Sequence, residues 1–288
     1  MSLEHPFLTQ EGWHPQGRRI LTAAGEYAYV VDTGGSGVPV VLLHGIMVSS
    51  WSWRHVIEAL PPDHRTIAIC LRGFGWSDKP VGPYNVTILS RFILSVLDSL
   101  GIDRCHLVGN SLGGSIAMRI AIDHPERVST LILAAPAAVE LKHVAWLLQV
   151  QHHRFAPVYQ VFGTRRTYRR FLQIMAYGGR TVSEETMDFF MAPLSCGRTV
   201  RAAAMVSRTL AYDAQHLLYN APRIRQPTLL CWGNRDLLLP LRFSNQLRAR
   251  LGNAAFKLYR GVGHCPMEEC PDEFISDIRD HLQTHGGS

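Results

Sequence analysis

The chain is short of several things, and each shortage closes off a class of protein. It has no apolar run near the ~20 residues a membrane-spanning helix needs, so no membrane span is expected. Its first residues, Met1 to Arg19, are polar and carry Glu4, Pro6, Glu11 and Pro15 instead of an apolar signal core, so export by that route is not expected. There is no dinucleotide fingerprint, no phosphate-cradling loop and no His-rich constellation, so neither cofactor nor metal is expected. Internal repeats and low-complexity tracts are also missing. Only 18% of the 288 residues are charged while 47% are hydrophobic, a balance that suits a folded domain with a substantial core and argues against disorder.

Cysteine is sparse and scattered, at positions 70, 105, 196, 231, 265 and 270. Cys70, Cys105 and Cys231 fall in apolar runs of the buried-strand type, which points to reduced thiols in a cytoplasmic protein rather than a disulfide framework. Cys265 and Cys270 flank a Pro-containing turn without zinc-ligand spacing. Formal charge is +6, and basic residues gather at Arg165, Arg166, Arg169 and Arg170, with Tyr168 and Phe171 among them. No nucleic-acid module accompanies this cluster, so it reads as a solvated helix face or an anion-attracting rim, and no nucleic-acid partner is expected.

What the chain does have is a rhythm. Ile20 to Asp32 reads as a hairpin turning at Gly25. Short apolar runs follow at Pro39–Leu43, Thr66–Leu71, Cys105–Val108 and Ser129–Ala134, then at Thr228–Trp232 and Ala255–Tyr259. Helical patterns separate them: Trp53 to Leu60, Ile88 to Leu100, Leu112 to His124, Leu241 to Leu251, and Pro271 to Leu282. Alternation of this kind gives an α/β fold with a mostly parallel central sheet and helices on both faces. From Pro136 to Pro222 the rhythm stops. That segment is helical in pattern, aromatic and Arg-rich, and reads as an inserted α-helical cap (136–222) between two parts of one core (1–135 and 223–288).

The most informative stretch is Gly109-Asn110-Ser111-Leu112-Gly113-Gly114, set between an apolar strand and an apolar-periodic helix. Strand, sharp turn and helix is the setting that Gly-x-Ser-x-Gly requires to lift a serine hydroxyl clear of the sheet. The plainer alternative is a Gly-rich turn whose serine caps the helix. Two further motifs weigh against it: His44-Gly45 after a strand, and Gly263-His264 near the end.

With these three motifs in place, the chain resembles α/β-hydrolase-fold serine hydrolases with a helical cap, from about Tyr27 to His281. The resemblance implies a nucleophile, acid and histidine in that order, which Ser111, Asp236 and His264 fulfil. A serine hydroxyl needs an adjacent base, and His264 lies in a Gly-containing loop after the last strand; His44 is the rival, though its place before Gly45 suits a structural role. Asp236 follows the strand Thr228–Trp232. Some relatives carry the acid after the preceding strand, where this chain has Ala134-Ala135-Pro136-Ala137-Ala138 and no carboxylate. The plain reading of Asp236 is a turn residue capping a helix. The oxyanion donors would be the backbone N–H groups of Leu112, at the helix N-terminus, and of Ile46, placed there by the resemblance. One departure stands out: relatives commonly carry Asp two residues before Arg-Gly-x-Gly, and here Cys70 precedes Arg72, altering the network expected around that arginine.

Serine at 111 excludes the alkyl-ester chemistry of dehalogenases and epoxide hydrolases of this fold, which the resemblance ties to aspartate. Acyl chemistry remains. The expected function is hydrolysis of a carboxylic ester of a small, mainly apolar substrate through an acyl-enzyme. A second reading is hydrolysis of a carbon–carbon bond, because Gly-Asn-Ser-Leu-Gly-Gly resembles the motif of meta-cleavage-product hydrolases; Cys265, where those enzymes usually carry an aromatic, speaks against it. A third is a non-catalytic small-molecule receptor on the same fold. Substrate contacts are expected from Trp146, Phe155, Tyr159, Phe162, Phe171, Met175, Phe189 and Phe190 of the cap.

Overall fold

The computed structural model describes residues 12–60, 64–140 and 164–285. Eight strands form one sheet in the order β1-β2-β4-β3-β5-β6-β7-β8. They are β1 (Gly17–Leu21), β2 (Tyr27–Asp32), β3 (Val40–Leu43), β4 (Thr66–Ile69), β5 (Cys105–Asn110), β6 (Val128–Ala134), β7 (Thr228–Gly233) and β8 (Ala254–Tyr259). β1 and β2 form the antiparallel hairpin, and β2 joins β4 antiparallel; all pairings from β4 through β8 are parallel.

Why these runs are strands is visible in how they divide their side chains. Successive strand residues point to opposite faces. Ala28, Val30, Val41, Leu43, Leu107 and Leu230 enter one apolar layer; Tyr29, Val31, Val40, Leu42, Val108 and Leu229 enter the other. Both faces are dry, so the runs carry no polar alternation. The first layer is closed by α2 (Val86–Ser99) and α3 (Leu112–Asp123), the second by α1 (Arg54–Ala59) and, at the chain's end, by the C-terminal helix Pro271–His285. Asn85 caps α2 by accepting the Ile88 N–H at 2.9 Å.

Between β6 and β7 the described residues contain no strand. They form α4 (Arg165–Met175), α5 (Glu184–Met191) and the long α6 (Gly197–Asn220). Leu172, Ala176, Met187 and Phe190 join the second layer, whereas Ala202, Val206 and Leu217 of α6 pack with α2 and α3 in the first. The last part of the segment between β6 and β7 is thus built onto the core. The basic run of α4 meets an acidic neighbour: Arg165 pairs with Glu184 and Asp188, and Arg169 with Glu184. After β7 come α7 (Ser244–Arg248), α8 (Pro266–Glu269) and α9 (Pro271–His285).

The topology fixes where a site can form. From β3 the chain moves to β4 on one side, and β5 then lies on the other. The connections leaving the carboxyl ends of β3 and β5 therefore diverge, opening a crevice between them. His44-Gly45-Ile46 and Ser111 sit at those two ends.

Candidate active site

Ser111 stands between β5 and α3 with φ 54° and ψ −115°, a conformation that L side chains rarely adopt. Its own N–H donates to Ala134 O at 3.0 Å, and its carbonyl accepts from Ala137 N and Ser115 N, each at 3.1 Å, so neighbours on both sides hold the strained residue. The turn can be this sharp because its flanks are glycine. A Cβ on Gly109 would lie 2.5 Å from Gly113 O, and one on Gly113 would lie 2.0 Å from Leu43 O. The Ser111 hydroxyl makes no capping bond to α3, which sets aside the plain reading of this serine.

Asp236 follows β7, and its carboxylate is fully buried. Its Oδ2 accepts from His264 Nδ1 at 2.7 Å, while Oδ1 accepts the Leu239 N–H at 2.8 Å. Asp236 thus does cap the following turn, but with one oxygen only. The Nδ1 bond leaves Nε2 as the basic nitrogen of the neutral ring. Burial pushes the His264 pKa down, but the Asp236 charge and hydrogen bond, with Glu269 behind them, raise it above the ordinary histidine value.

The backbone of His264 is fixed from three directions. Its N–H donates to Ala176 O of the insertion at 2.5 Å, its carbonyl accepts from Asn110 Nδ2 at 3.0 Å, and the amides on either side, Gly263 and Cys265, donate to the Glu269 carboxylate at 2.8 and 3.0 Å. The close approach of the insertion needs Gly263, where a Cβ would lie 2.2 Å from Ala176 O. Neither Asn110 nor Glu269 stands out in the sequence as a partner of the histidine.

His44, the rival base, is fully buried. Its Nε2 accepts the Leu71 N–H at 2.9 Å and its Nδ1 donates to Gly45 O at 2.7 Å, so both nitrogens are committed to backbone; burial pushes its pKa down to about 4. It holds the loop that carries Ile46. Where the resemblance leads one to expect Asp, Cys70 Sγ accepts the Ser50 N–H at 3.4 Å, and Arg72 is held instead by Glu26 of the hairpin at 2.7 and 2.9 Å.

Ser111 and His264 border one cavity of about 260 Å³. Ile46 is in its wall, while the Leu112 N–H lies in the first turn of α3, where no intrahelical acceptor exists. Among the residues singled out by sequence from the expected cap, Phe171 and Phe190 line the cavity. Phe189 instead stacks on Trp51 with ring centres 3.8 Å apart, and Met175 is outside the described wall. Trp146, Phe155, Tyr159 and Phe162 lie outside the described residues. The wall also includes Tyr168, Leu172, Ala176, Leu238, Met267 and Glu268, which sequence patterning did not separate from core. Burial pushes the Glu268 carboxyl up against the opposing pull of Arg54.

A strained serine turn after a central strand, with an Asp-backed histidine across the cavity, defines a class of hydrolytic enzymes. The alpha/beta hydrolase fold family matches residues 38–271, and the chain belongs to that family. It is 31% identical over 278 residues to the 2-hydroxymuconate semialdehyde hydrolase of Pseudomonas sp. (strain CF600), covering 93% of this chain and 94% of that one. Among solved structures it is similar to the meta-cleavage product hydrolase CumD of Pseudomonas fluorescens IP01, with TM-score 0.77, 25% identity and coverage of 93% and 98%. An esterase from Exiguobacterium antarcticum shares the fold at TM-score 0.76 and 23% identity, with coverage of 93% and 99%. The protein is a hydrolase of the α/β-hydrolase fold.

Proposed function

We propose that the protein is a serine hydrolase that cleaves a carboxylic ester of a small, mainly apolar substrate. Ser111 Oγ attacks the carbonyl carbon while His264 Nε2 takes its proton. The N–H groups of Leu112 and Ile46 hold the oxyanion, an interaction worth on the order of 3 kcal/mol per donor. His264 then returns the proton to the departing alcohol, and water, activated by the same nitrogen, releases the acid from Ser111. Asp236 keeps the ring in the required tautomer. The observation that carries this reading is the Asp236–His264 bond at the rim of the cavity that Ser111 borders.

The second reading is carbon–carbon bond hydrolysis, supported by the names of the relatives above. On that route the leaving group is a carbon, which takes the proton in place of an alkoxide oxygen. The described cavity wall, however, contains no Arg or Lys to meet an acidic dienol, and Arg165 and Arg169 are engaged with Glu184 and Asp188. On that contrast we put the ester first. Purified protein and Ser111→Ala should be assayed in parallel on aryl esters and on a coloured ring-fission product. Ester turnover that vanishes in Ser111→Ala supports the proposal. Esterase activity retained by Ser111→Ala overturns the role of Ser111, and bleaching of the ring-fission product at a higher kcat/KM than any ester puts the second reading first.

A further inference from the structure

One carboxyl at the cavity is unaccounted for by the mechanism. Glu268, in the short helix α8, has a side chain only 1% exposed and borders the same cavity as Ser111 and His264. Its Oε2 accepts from the Tyr177 hydroxyl at 2.9 Å and from Arg54 Nη1 at 3.3 Å. Its Oε1 is buried and has no hydrogen-bond partner. Apart from Ser111 and His264, the wall's other polar side chains are Ser52 and Asn110, which donate to backbone carbonyls, with Tyr168 and Cys265; Glu268 is the only carboxyl of the described wall. A buried acceptor is normally satisfied, and an orphan one beside a binding cavity marks a place that a ligand donor can fill.

The chemistry of that donor follows from the neighbours. The Arg54 guanidinium already compensates Glu268 and lies 3.5 Å over the Trp51 ring, so an ammonium at this point would face a second cation. Against the pull of burial, Arg54 and the Tyr177 hydroxyl both donate to Oε2 and favour the ionised form, so a substrate carboxylate here would meet a like charge. A neutral donor suffers neither penalty.

We propose that Glu268 is a specificity-determining residue, selecting substrates that carry an uncharged hydrogen-bond donor such as a hydroxyl and rejecting those that carry a carboxylate. The inference rests on the cavity being the substrate site of the proposed ester hydrolase.

The test uses aryl esters of four-, six- and eight-carbon acids ending in methyl, hydroxyl or carboxylate, assayed with wild type, Glu268→Gln and Glu268→Leu. Glu268→Gln keeps an acceptor for Tyr177 and guards against a folding failure in Glu268→Leu; thermal melts check both. In wild type, at one chain length or more, kcat/KM for the hydroxyl ester should exceed that of its methyl counterpart by about tenfold. That ratio should collapse in Glu268→Leu, and the carboxylate ester should gain in Glu268→Gln, whose amide NH₂ takes the place of Oε1 and can donate to it. A hydroxyl-to-methyl ratio near unity in wild type, one that folded Glu268→Leu leaves unchanged, or no gain of the carboxylate ester in Glu268→Gln overturns the proposal. Affinities of the same esters for Ser111→Ala, with and without Glu268→Gln, read the preference without turnover. If no ester is hydrolysed the ester reading fails, and these affinities still decide the role of Glu268.

Discussion

Burial alone would lower the His264 pKa, but the Asp236 carboxylate 2.7 Å from Nδ1 reverses the direction and lifts it above 6.5. The proposed base acts only when neutral, so kcat/KM should rise with pH through an inflection above 6.5. A pH–rate profile checks this, and an inflection at or below 6.5 would contradict it. Asp236→Asn removes the charge and permits the wrong tautomer. Activity at neutral pH should fall by about 10³–10⁴-fold with the fold retained. At this scale the sequence is legible where a motif or chain order constrains a side chain, as with Ser111, Asp236 and His264. It is opaque where the constraint is purely three-dimensional. Glu268 and Glu269 fall in the turn flanked by Cys265 and Cys270 and belong to no motif, yet one carboxyl borders the cavity and the other holds the amides flanking the histidine.

Between strand and helix, the elbow depends on backbone approach more than on side-chain chemistry. A methyl group at position 113 would meet Leu43 O at 2.0 Å and His44 O at 2.7 Å. These are backbone atoms of β3 and of the loop bearing Ile46, so they cannot move without disturbing the sheet. Gly113→Ala should therefore cost stability and activity together, with esterase activity down at least a hundredfold and a lowered melting temperature. Normal melting and turnover would show that the elbow tolerates the extra carbon. The parallel strands were readable because burial leaves nearly unbroken apolar runs, and their observed ends differ by only a residue or two; the exposed first strand starts at Gly17, three residues before the hairpin's expected start at Ile20. The predicted helix Leu241–Leu251 contracts to a 3₁₀ turn, Leu241–Phe243, and the five residues of α7. Its first turn carries no side-chain cap, which periodicity does not report. The four-residue helix Pro266–Glu269 is too short to show a period at all.

Across the molecule, the folded state holds three histidines in a neutral form that the unfolded chain does not enforce. Burial pushes His44, His106 and His281 each down to about 4. Between pH 6.5 and 4 the unfolded chain binds protons at these positions that the folded chain refuses. Stability from their neutral burial is thus complete above 6.5 and drains away as pH falls toward 4. His264 runs the other way, favouring the folded state when protonated and losing that contribution as pH rises through its raised pKa. Glu268 and Glu269, whose carboxyls burial raises, also favour the folded state in acid and offset part of the loss. Burial lowers His14 and His55 as well, so the depressed histidines outnumber the raised groups and the melting temperature should drop from pH 7 to pH 4.5. His281 offers the cleanest handle. It lies in α9, its side chain is buried, its Nε2 has no hydrogen-bond partner, and it is outside the described wall of the cavity. His281→Phe keeps a ring in the same place and removes the titrating nitrogen. Its melting temperature should depend less steeply on pH than that of wild type, with the two curves separating most below pH 6. Parallel curves over pH 4.5–7 would show that His281 does not contribute to the acid sensitivity.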